Sequence, residues 1–107
     1  MSPLDDYQAR ALALCNERWP GEELAGRVLA LCEETGEVAR CVLKARSTHA
    51  GYRTGTDWGE QLRLEVGQVG FVLATIAEAA GFSLADAMSV AELDVEKKPT
   101  AADRADA

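Results

Sequence analysis

The sequence has few of the residues from which zinc, disulfide and nucleic-acid-binding proteins are built. It contains one histidine, and its three cysteines show no Cys-x-x-Cys spacing, so neither a zinc site nor a disulfide framework is indicated. An odd number of cysteines is typical of a reducing compartment, and we expect a cytoplasmic protein. Basic residues are also scarce. The net charge of −7 argues against a nucleic acid polymer or an anionic membrane as a partner.

A long uninterrupted apolar run and an alternating strand pattern are both missing. The longest apolar stretch, residues 64–77, contains Glu65 and Gln68, so we expect no membrane span, and we expect no targeting segment. Hydrophobic residues nevertheless make up 48% of the chain, which is too many for a disordered protein. A length of 107 residues with helical periodicity therefore predicts one all-α domain.

Residues that cap or break helices divide the chain into four predicted helices. These helices span residues 2–18, 22–45, 57–81 and 83–98. Their boundaries are predicted from the N-cap types Ser2, Asp57 and Ser83, the C-cap Gly81, and the breakers Pro20 and Pro99. Residues 46–56 are predicted to form a loop. The domain is predicted to cover residues 1–99, with a frayed tail over residues 100–107.

Two of these helices place acidic side chains on apolar faces. In the third helix, Glu65 and Gln68 lie one turn apart on one side of a nearly all-apolar cylinder. In the second helix, Glu34 falls inside the apolar arc and Glu37 at its edge, whereas Glu33 falls on the solvent side. If the two faces meet, three carboxylates and one amide converge. Oxygen ligands of this kind favour Mg²⁺, with Mn²⁺ as a second possibility.

Two further expectations follow from the same faces. A helix that is apolar on all sides predicts a homodimer or homotetramer that is buried through the third helix, around Leu64, Phe71 and Ala74. The acids also have a structural interpretation, in which they form a salt-bridge set. The basic residues available for such a set are Arg27, Arg40 and Lys44.

The pattern Glu33-Glu34-x-x-Glu37, followed by Glu65-x-x-Gln68 on the next helix, resembles the MazG-like nucleoside-triphosphate pyrophosphohydrolases. The signature of that family is Glu-Glu-x-x-Glu and then Glu-x-x-Asp. The resemblance covers residues 4–98, including the entry to the fourth helix at residues 81–87. It implies a four-helix MazG-like bundle, assembly through the central helices, and Mg²⁺-dependent cleavage of a (d)NTP to (d)NMP and pyrophosphate. A role in house-cleaning of nucleotide pools goes with that activity.

The resemblance also implies roles for single residues. Glu34, Glu37 and Glu65 match metal-ligand positions, and Glu33 matches a position that helps to hold a metal or the attacking water. Gln68 stands where the family has Asp. A glutamine oxygen can bind Mg²⁺ but brings no charge, so we expect weaker metal binding, or binding only together with nucleotide phosphates. The alternative is a catalytically weakened module that binds nucleotides or serves as an oligomeric interaction module.

The candidates for substrate binding are Trp19, Lys44 and Arg53. Trp19 lies in the turn between the first two helices, where some relatives place an aromatic ring against the base. The alternative is a plain hydrophobic lid over the core, which is the more common role of a lone Trp. Lys44 and Arg53 flank the basic segment of an acidic chain. That segment is either a phosphate clamp or a solvated loop. Glu33 and Gln68 also have structural interpretations. Glu33 would then be an exposed acid, and Gln68 would be a buried amide that is hydrogen-bonded to a neighbouring helix.

Overall fold

The computed structural model describes residues 2–46 and 57–105, and this part of the chain contains helices and no strands. The all-α prediction is confirmed. The helices are α1 (Pro3–Arg18), α2 (Leu24–Arg46), α3 (Trp58–Ala80), α4 (Leu84–Glu96) and the short α5 (Ala101–Ala105).

Local capping chemistry sets most of the helix ends where the sequence predicts them. Ser2 and Asp5 form a reciprocal capping box at α1. The side chain of Asp57 accepts the Glu60 N–H at 3.1 Å at the start of α3. Gly81 ends α3 with a φ of 84°, a left-handed conformation that glycine adopts without strain.

Apart from the cap residues, the differences from the prediction concern α2, α4 and the tail. Helix α2 begins at Leu24 rather than at residue 22, so no acidic residue lies in its first turn, and it continues through Arg46. Helix α4 ends at Glu96. The predicted frayed tail contains α5, because the Thr100 hydroxyl caps it by accepting the Asp103 N–H at 3.1 Å.

Helix α3 lies at the centre of the fold, between α1 and α2, which both pack on it. The apolar residues that are fully buried are small: Ala11, Cys15, Cys41, Ala74 and Ala77. Ala74 is therefore covered by the chain's own helices. Helical periodicity would place Tyr7 and Leu14 on the same face of α1 as the buried Ala11 and Cys15, but both are exposed, and so is Cys32 on α2.

A hydrogen-bonded joint fixes α1 against the turn between α3 and α4. Gln8 is only 4% exposed, and its amide nitrogen donates to Glu78 Oε2 at 2.8 Å and to the Phe82 carbonyl at 2.9 Å. Its amide oxygen accepts the Leu84 N–H at 2.9 Å. The Ser83 hydroxyl donates to Asp5 Oδ1 at 2.7 Å. These bonds determine the direction in which α4 leaves the bundle.

Helix α4 turns sharply away from α3. The axes of Trp58–Ala80 and Leu84–Ala105 differ by 107°. Within the described ranges, no single helix is both long enough and apolar enough to cross a membrane. The bent pair formed by α3 and Leu84–Ala105 passes on length and composition, which are the only criteria applied.

The chain is extended for its size and exposes much apolar surface. Its radius of gyration is 17.7 Å, whereas a compact domain of this length has roughly 13 Å. Its accessible surface is 7972 Å², whereas a compact monomer of 11.5 kDa exposes roughly 5,800 Å². On α2 and α3 the exposed large apolar residues are Leu24, Val28, Leu29, Val42, Leu43, Leu64, Val66 and Leu73.

Candidate functional site

The acidic residues predicted on α2 and α3 meet where the two helices pack. The carboxyl groups of Glu34 and Glu65 lie within hydrogen-bonding contact of each other. Glu65 is 8% exposed, and its Oε1 accepts the amide of Gln61 at 2.9 Å. The predicted convergence of these two carboxylates is therefore present.

Gln68 bridges the two carboxylates. With its amide nitrogen turned toward them, it donates to Glu65 Oε2 at 2.8 Å and to Glu34 Oε2 at 2.9 Å. Turning the amide by 180° would place its oxygen among the carboxylate oxygens instead. Three oxygens facing one another repel, so that orientation requires either a cation between them or a proton on one of the carboxylates. The same side chain therefore fits both a cation-free and a cation-bound arrangement.

The pKa of Glu34 is raised above the ordinary value for a glutamic acid. Partial burial is the largest cause, because it disfavours the charged form, and the hydrogen bond to Glu65 adds to it. The negative charges of Glu65, Glu33 and Glu37 raise the pKa further. Every one of these causes raises the pKa, so no positive charge among the described residues offsets the negative charge around Glu34.

Arg27, the buried residue among the proposed structural partners, does not neutralise these acids. Arg27 is buried, but it faces α1, where Nη1 lies 2.6 Å from Cys15 Sγ and Nη2 donates to Asn16 Oδ1 at 2.7 Å. Lys44 lies over the Trp58 ring at 5.3 Å. Among residues 2–46 and 57–105, neither Glu34 nor Glu65 forms an ion pair with Arg or Lys; the ion pairs seen there join Arg63 to Glu60 and Lys98 to Asp94. The salt-bridge interpretation is not supported in this part of the chain.

A cleft of about 440 Å³ opens beside Glu34, whereas Glu65 does not line it. Its lining comes from the α1–α2 turn, α2 and α3, and consists of Trp19, Glu22, Ala30, Glu33, Glu34, Gln68, Phe71 and Val72. The volume falls in the range of small-molecule sites, which are mostly apolar with a few convergent polar groups. Four residues predicted from the sequence, namely Trp19, Glu33, Glu34 and Gln68, share this one cleft.

The remaining predicted residues lie elsewhere. Glu37 is exposed and does not line the cleft. Lys44 does not line it either, and Arg53 lies outside the described residues, as does most of the predicted loop. Gln68 is exposed rather than buried.

Sequence reasoning missed Gln61, Glu22 and Phe71. Gln61 precedes Glu65 by four residues, which places both on one helical face, so its bond to Glu65 could have been expected. Glu22 and Phe71 both line the cleft because the α1–α2 turn packs against α3 at a particular angle. No local sequence signal encodes that angle.

The donor set fits a hard cation that also binds phosphate. Glu34, Glu65 and the Gln68 amide offer oxygens from two facing helices. In the described ranges no group of three or more His, Cys, Asp or Glu residues is placed to hold a metal ion, so the predicted third carboxylate of Glu37 does not complete the set. Mg²⁺ is commonly held by one or two carboxylates together with substrate phosphates. Two carboxylates and one amide oxygen would therefore need further oxygen ligands to complete a Mg²⁺ site.

No protein-family model, curated protein or solved structure matches this chain.

Proposed function

We propose that this protein is a MazG-like, Mg²⁺-dependent nucleoside-triphosphate pyrophosphohydrolase, which cleaves a (d)NTP to (d)NMP and pyrophosphate. One observation carries the proposal: Glu34, Gln68 and Glu65 meet across α2 and α3, without a neutralising Arg or Lys among the described residues, at the edge of a cleft that Trp19 also lines. An unneutralised acidic pair beside an aromatic-lined cleft suits a ligand that combines a cation, phosphates and a base.

Each residue of the site has a separate task in this proposal. Glu34, Glu65 and the Gln68 oxygen would hold Mg²⁺, which, when bound, would offset the phosphate charge. Trp19, 59% exposed at the cleft wall, offers its ring to the nucleobase. Glu33, exposed on the same wall, holds a water by accepting its hydrogen bond. Attack of that water on the α-phosphorus breaks the bond to the bridging oxygen, and pyrophosphate leaves with that oxygen.

The decisive experiment incubates the full chain with a panel of deoxy- and ribonucleoside triphosphates and Mg²⁺ or Mn²⁺, and then separates the products. We expect a nucleoside monophosphate and pyrophosphate in equal amounts. Glu65→Gln should lower turnover by at least 100-fold. Glu60→Gln, on the exposed side of the same helix, is the matched control and should leave turnover unchanged. A Glu65→Gln variant that is as active as the unmodified chain would contradict the assignment of Glu65 as a metal ligand.

A weakened, nucleotide-binding module is the second candidate, and Gln68 is the observation that favours it. In the cation-free orientation its amide already satisfies both carboxylates, so a cation must displace two hydrogen bonds. Under this candidate the unmodified chain binds nucleotide without turnover, and Gln68→Asp restores cleavage. Titration calorimetry with Mg²⁺ and a non-hydrolysable triphosphate separates binding from turnover.

A further inference from the structure

Trp19 lines the candidate cleft, but packing around its ring does not explain its position there. More than half of the residue is exposed. It lies in the turn between α1 and α2, followed by Pro20 and by Gly21, whose φ is 81°. The place of the indole relative to the cleft therefore depends on how the α1–α2 turn is held.

Arg27 joins the two ends of this turn. Its guanidinium Nη1 lies 2.6 Å from Cys15 Sγ, and Nη2 donates to Asn16 Oδ1 at 2.7 Å, both in the last turn of α1. Nη2 also donates to the Glu22 carbonyl at 3.3 Å, where the turn leads into α2. One planar side chain thus bonds to both sides of residues 17–21. These four residues are called here the Arg27 cluster.

The backbone of Trp19 is bonded to the same two ends. Its N–H donates to the Cys15 carbonyl at 2.8 Å, and its carbonyl accepts the Glu22 N–H at 3.3 Å. Arg27 therefore bonds to the residues that hold the backbone of Trp19. A shift of Cys15 relative to Glu22 must move Trp19, because Trp19 is bonded to both.

A second contact closes the turn beside Gly26. The Cys15 thiol donates to Glu22 Oε2 at 3.8 Å. A Cβ added at Gly26 would lie 3.1 Å from Glu22 Cγ and 3.1 Å from Glu22 Oε1, so the glycine leaves room for this side chain along the start of α2. Side chains from both ends thus meet at the turn, and the guanidinium of Arg27 is the charged group buried among them.

Joining α1 to α2 does not by itself require a buried guanidinium. In the part of the chain that the structure describes, none of the ion pairs involves Arg27. The C-terminal end of α1 lies beside it, and the helix dipole favours a cation there. An apolar side chain would still pack two helices at lower cost, because it carries no charge that must leave water. An apolar residue cannot supply a planar fork that bonds several groups in fixed directions.

We propose that Arg27 is a positioning residue, which holds the α1–α2 turn so that the ring of Trp19 meets the nucleobase. The inference rests on the proposed function and adds to it a residue that does not line the cleft. Glu34 follows Arg27 by seven residues, roughly 10 Å along α2, so the acidic pair does not depend on the Arg27 cluster. Loss of Arg27 should therefore weaken the binding of the base and leave the cation site in place.

The first experiment follows Trp19 without a ligand. Trp58→Phe leaves Trp19 as the only tryptophan of the chain, and its time-resolved fluorescence anisotropy reports the mobility of its ring. In this background Arg27→Gln should at least double the amplitude of the fast decay. Arg27→Lys should do the same, because it keeps the charge but loses the fork. Arg40→Gln, exposed on the same helix, is the matched control and should leave the decay unchanged.

Circular dichroism verifies that each variant retains its helices. If Arg27→Gln does not fold, Asn16→Ala removes one bond of the Arg27 cluster at an exposed position of α1. This variant should increase the fast decay of Trp19 in the same direction and by a smaller amount. An unchanged decay in both variants would overturn the proposal.

The second experiment asks whether Arg27 acts through Trp19. With a nucleoside triphosphate and Mg²⁺, Arg27→Gln should raise KM at least 10-fold and change kcat less than 3-fold. In a Trp19→Ala background the same substitution should change KM less than 3-fold, because the ring that Arg27 positions is gone. If the unmodified chain binds without turnover, the dissociation constant of a non-hydrolysable triphosphate replaces KM.

The outcomes separate this inference from the proposed function. An effect of Arg27→Gln on KM that persists in full without Trp19, or a Trp19 ring as restrained in Arg27→Gln as in Arg40→Gln, would overturn the positioning role and leave the proposed function standing. An unmodified chain that neither binds nor cleaves nucleoside triphosphates would overturn the proposed function and the role of Arg27 toward a base. The anisotropy would then still decide whether Arg27 holds the turn.

Discussion

Glu34 and Glu65 occupy a site that lowers the stability of the fold when both are ionised. They lie in contact across two helices, and Glu33 and Glu37 add negative charge nearby. Uncompensated charge in a partly buried place is expensive, and proteins retain it mainly where function requires it. We therefore propose that the pair serves to bind a ligand rather than to pack the helices.

Glu34→Gln should stabilise the fold while it abolishes Mg²⁺-dependent turnover. The amide keeps a hydrogen-bonding oxygen but removes the repulsion, so we expect a gain of about 0.5–1 kcal/mol at neutral pH, the size of one net hydrogen bond. Urea denaturation of both proteins measures it. Glu17→Gln, an exposed substitution on α1, serves as the control and should change stability less. A destabilised Glu34→Gln variant would show that the carboxylate is structural.

The unfolding free energy that Glu34→Gln gains should depend on pH, and the direction of that dependence follows from the pKa of Glu34. Because the pKa of Glu34 is raised on folding, the folded state binds a proton more tightly than the unfolded chain does, so stability falls as pH rises. The fall begins near the unfolded value of about 4.3 and is complete above the raised pKa. The difference in unfolding free energy between Glu34→Gln and the unmodified chain should therefore grow over this window. A difference that does not vary with pH would contradict the raised pKa.

At the scale of helices, the joint around Gln8 replaces apolar packing between α1 and the α3–α4 turn. The buried side chain makes three hydrogen bonds to groups far away in the sequence. Such a network requires every partner, because each polar group left unpaired loses its solvation without compensation.

Gln8→Ala should lower the unfolding free energy by about 2–4 kcal/mol, because it leaves the Leu84 N–H and the Phe82 carbonyl without their partner. Guanidinium denaturation measures the change. Glu17→Ala, an exposed substitution on the same helix, should stay within about 0.5 kcal/mol. Equal effects of the two substitutions would show that the joint does not support the fold.

The neighbouring bond between Asp5 and Ser83 makes the joint sensitive to acid. Hydrogen bonds from Ser83 first, and then from Ser2, hold the pKa of Asp5 below its usual value. A lowered pKa stabilises the folded state above the unfolded pKa of about 3.9, and this stability is lost as pH falls through the lowered folded value. Asp5→Asn should therefore be less stable than the unmodified chain at neutral pH and equally stable in strong acid. Thermal melts at pH 7 and pH 2 compare the two.

At the scale of the whole molecule, the uncovered apolar surface predicts assembly. Thr35 and Val38 of α2 enclose an apolar hollow of about 170 Å³ with Val66 and Val69 of α3. This surface, called here the central face, lies on the two helices that the sequence predicts to be central. Its exposure in one copy agrees with a homodimer, which we propose as the functional state.

If folding requires dimerisation, the melting temperature should depend on protein concentration. We expect a rise of about 3 °C for each tenfold increase in concentration, since the dimer melts as one unit of twice the chain length. Val66→Glu, on the central face, should reduce both the mass and the melting temperature. A melting temperature that is independent of concentration, with a monomeric mass, would exclude a dimer.

The sequence by itself determined the helices and the positions of the acids along them. Helix ends depend on residues within one turn, such as Ser2 with Asp5 or Gly81 with its positive φ, so local chemistry predicted most of them. Helical periodicity also placed Glu34 and Glu65 on facing surfaces. These features need no knowledge of distant contacts.

Only the tertiary structure decided which groups those surfaces meet. It turned Arg27 toward Cys15 instead of the acids, buried the polar Gln8, and left Glu37 outside the cleft. It also directed α4 away from the bundle through bonds between residues more than 70 positions apart. Such outcomes depend on the angle and offset between packed helices. Those quantities come from side chains that are far apart in the chain, and no local pattern encodes them.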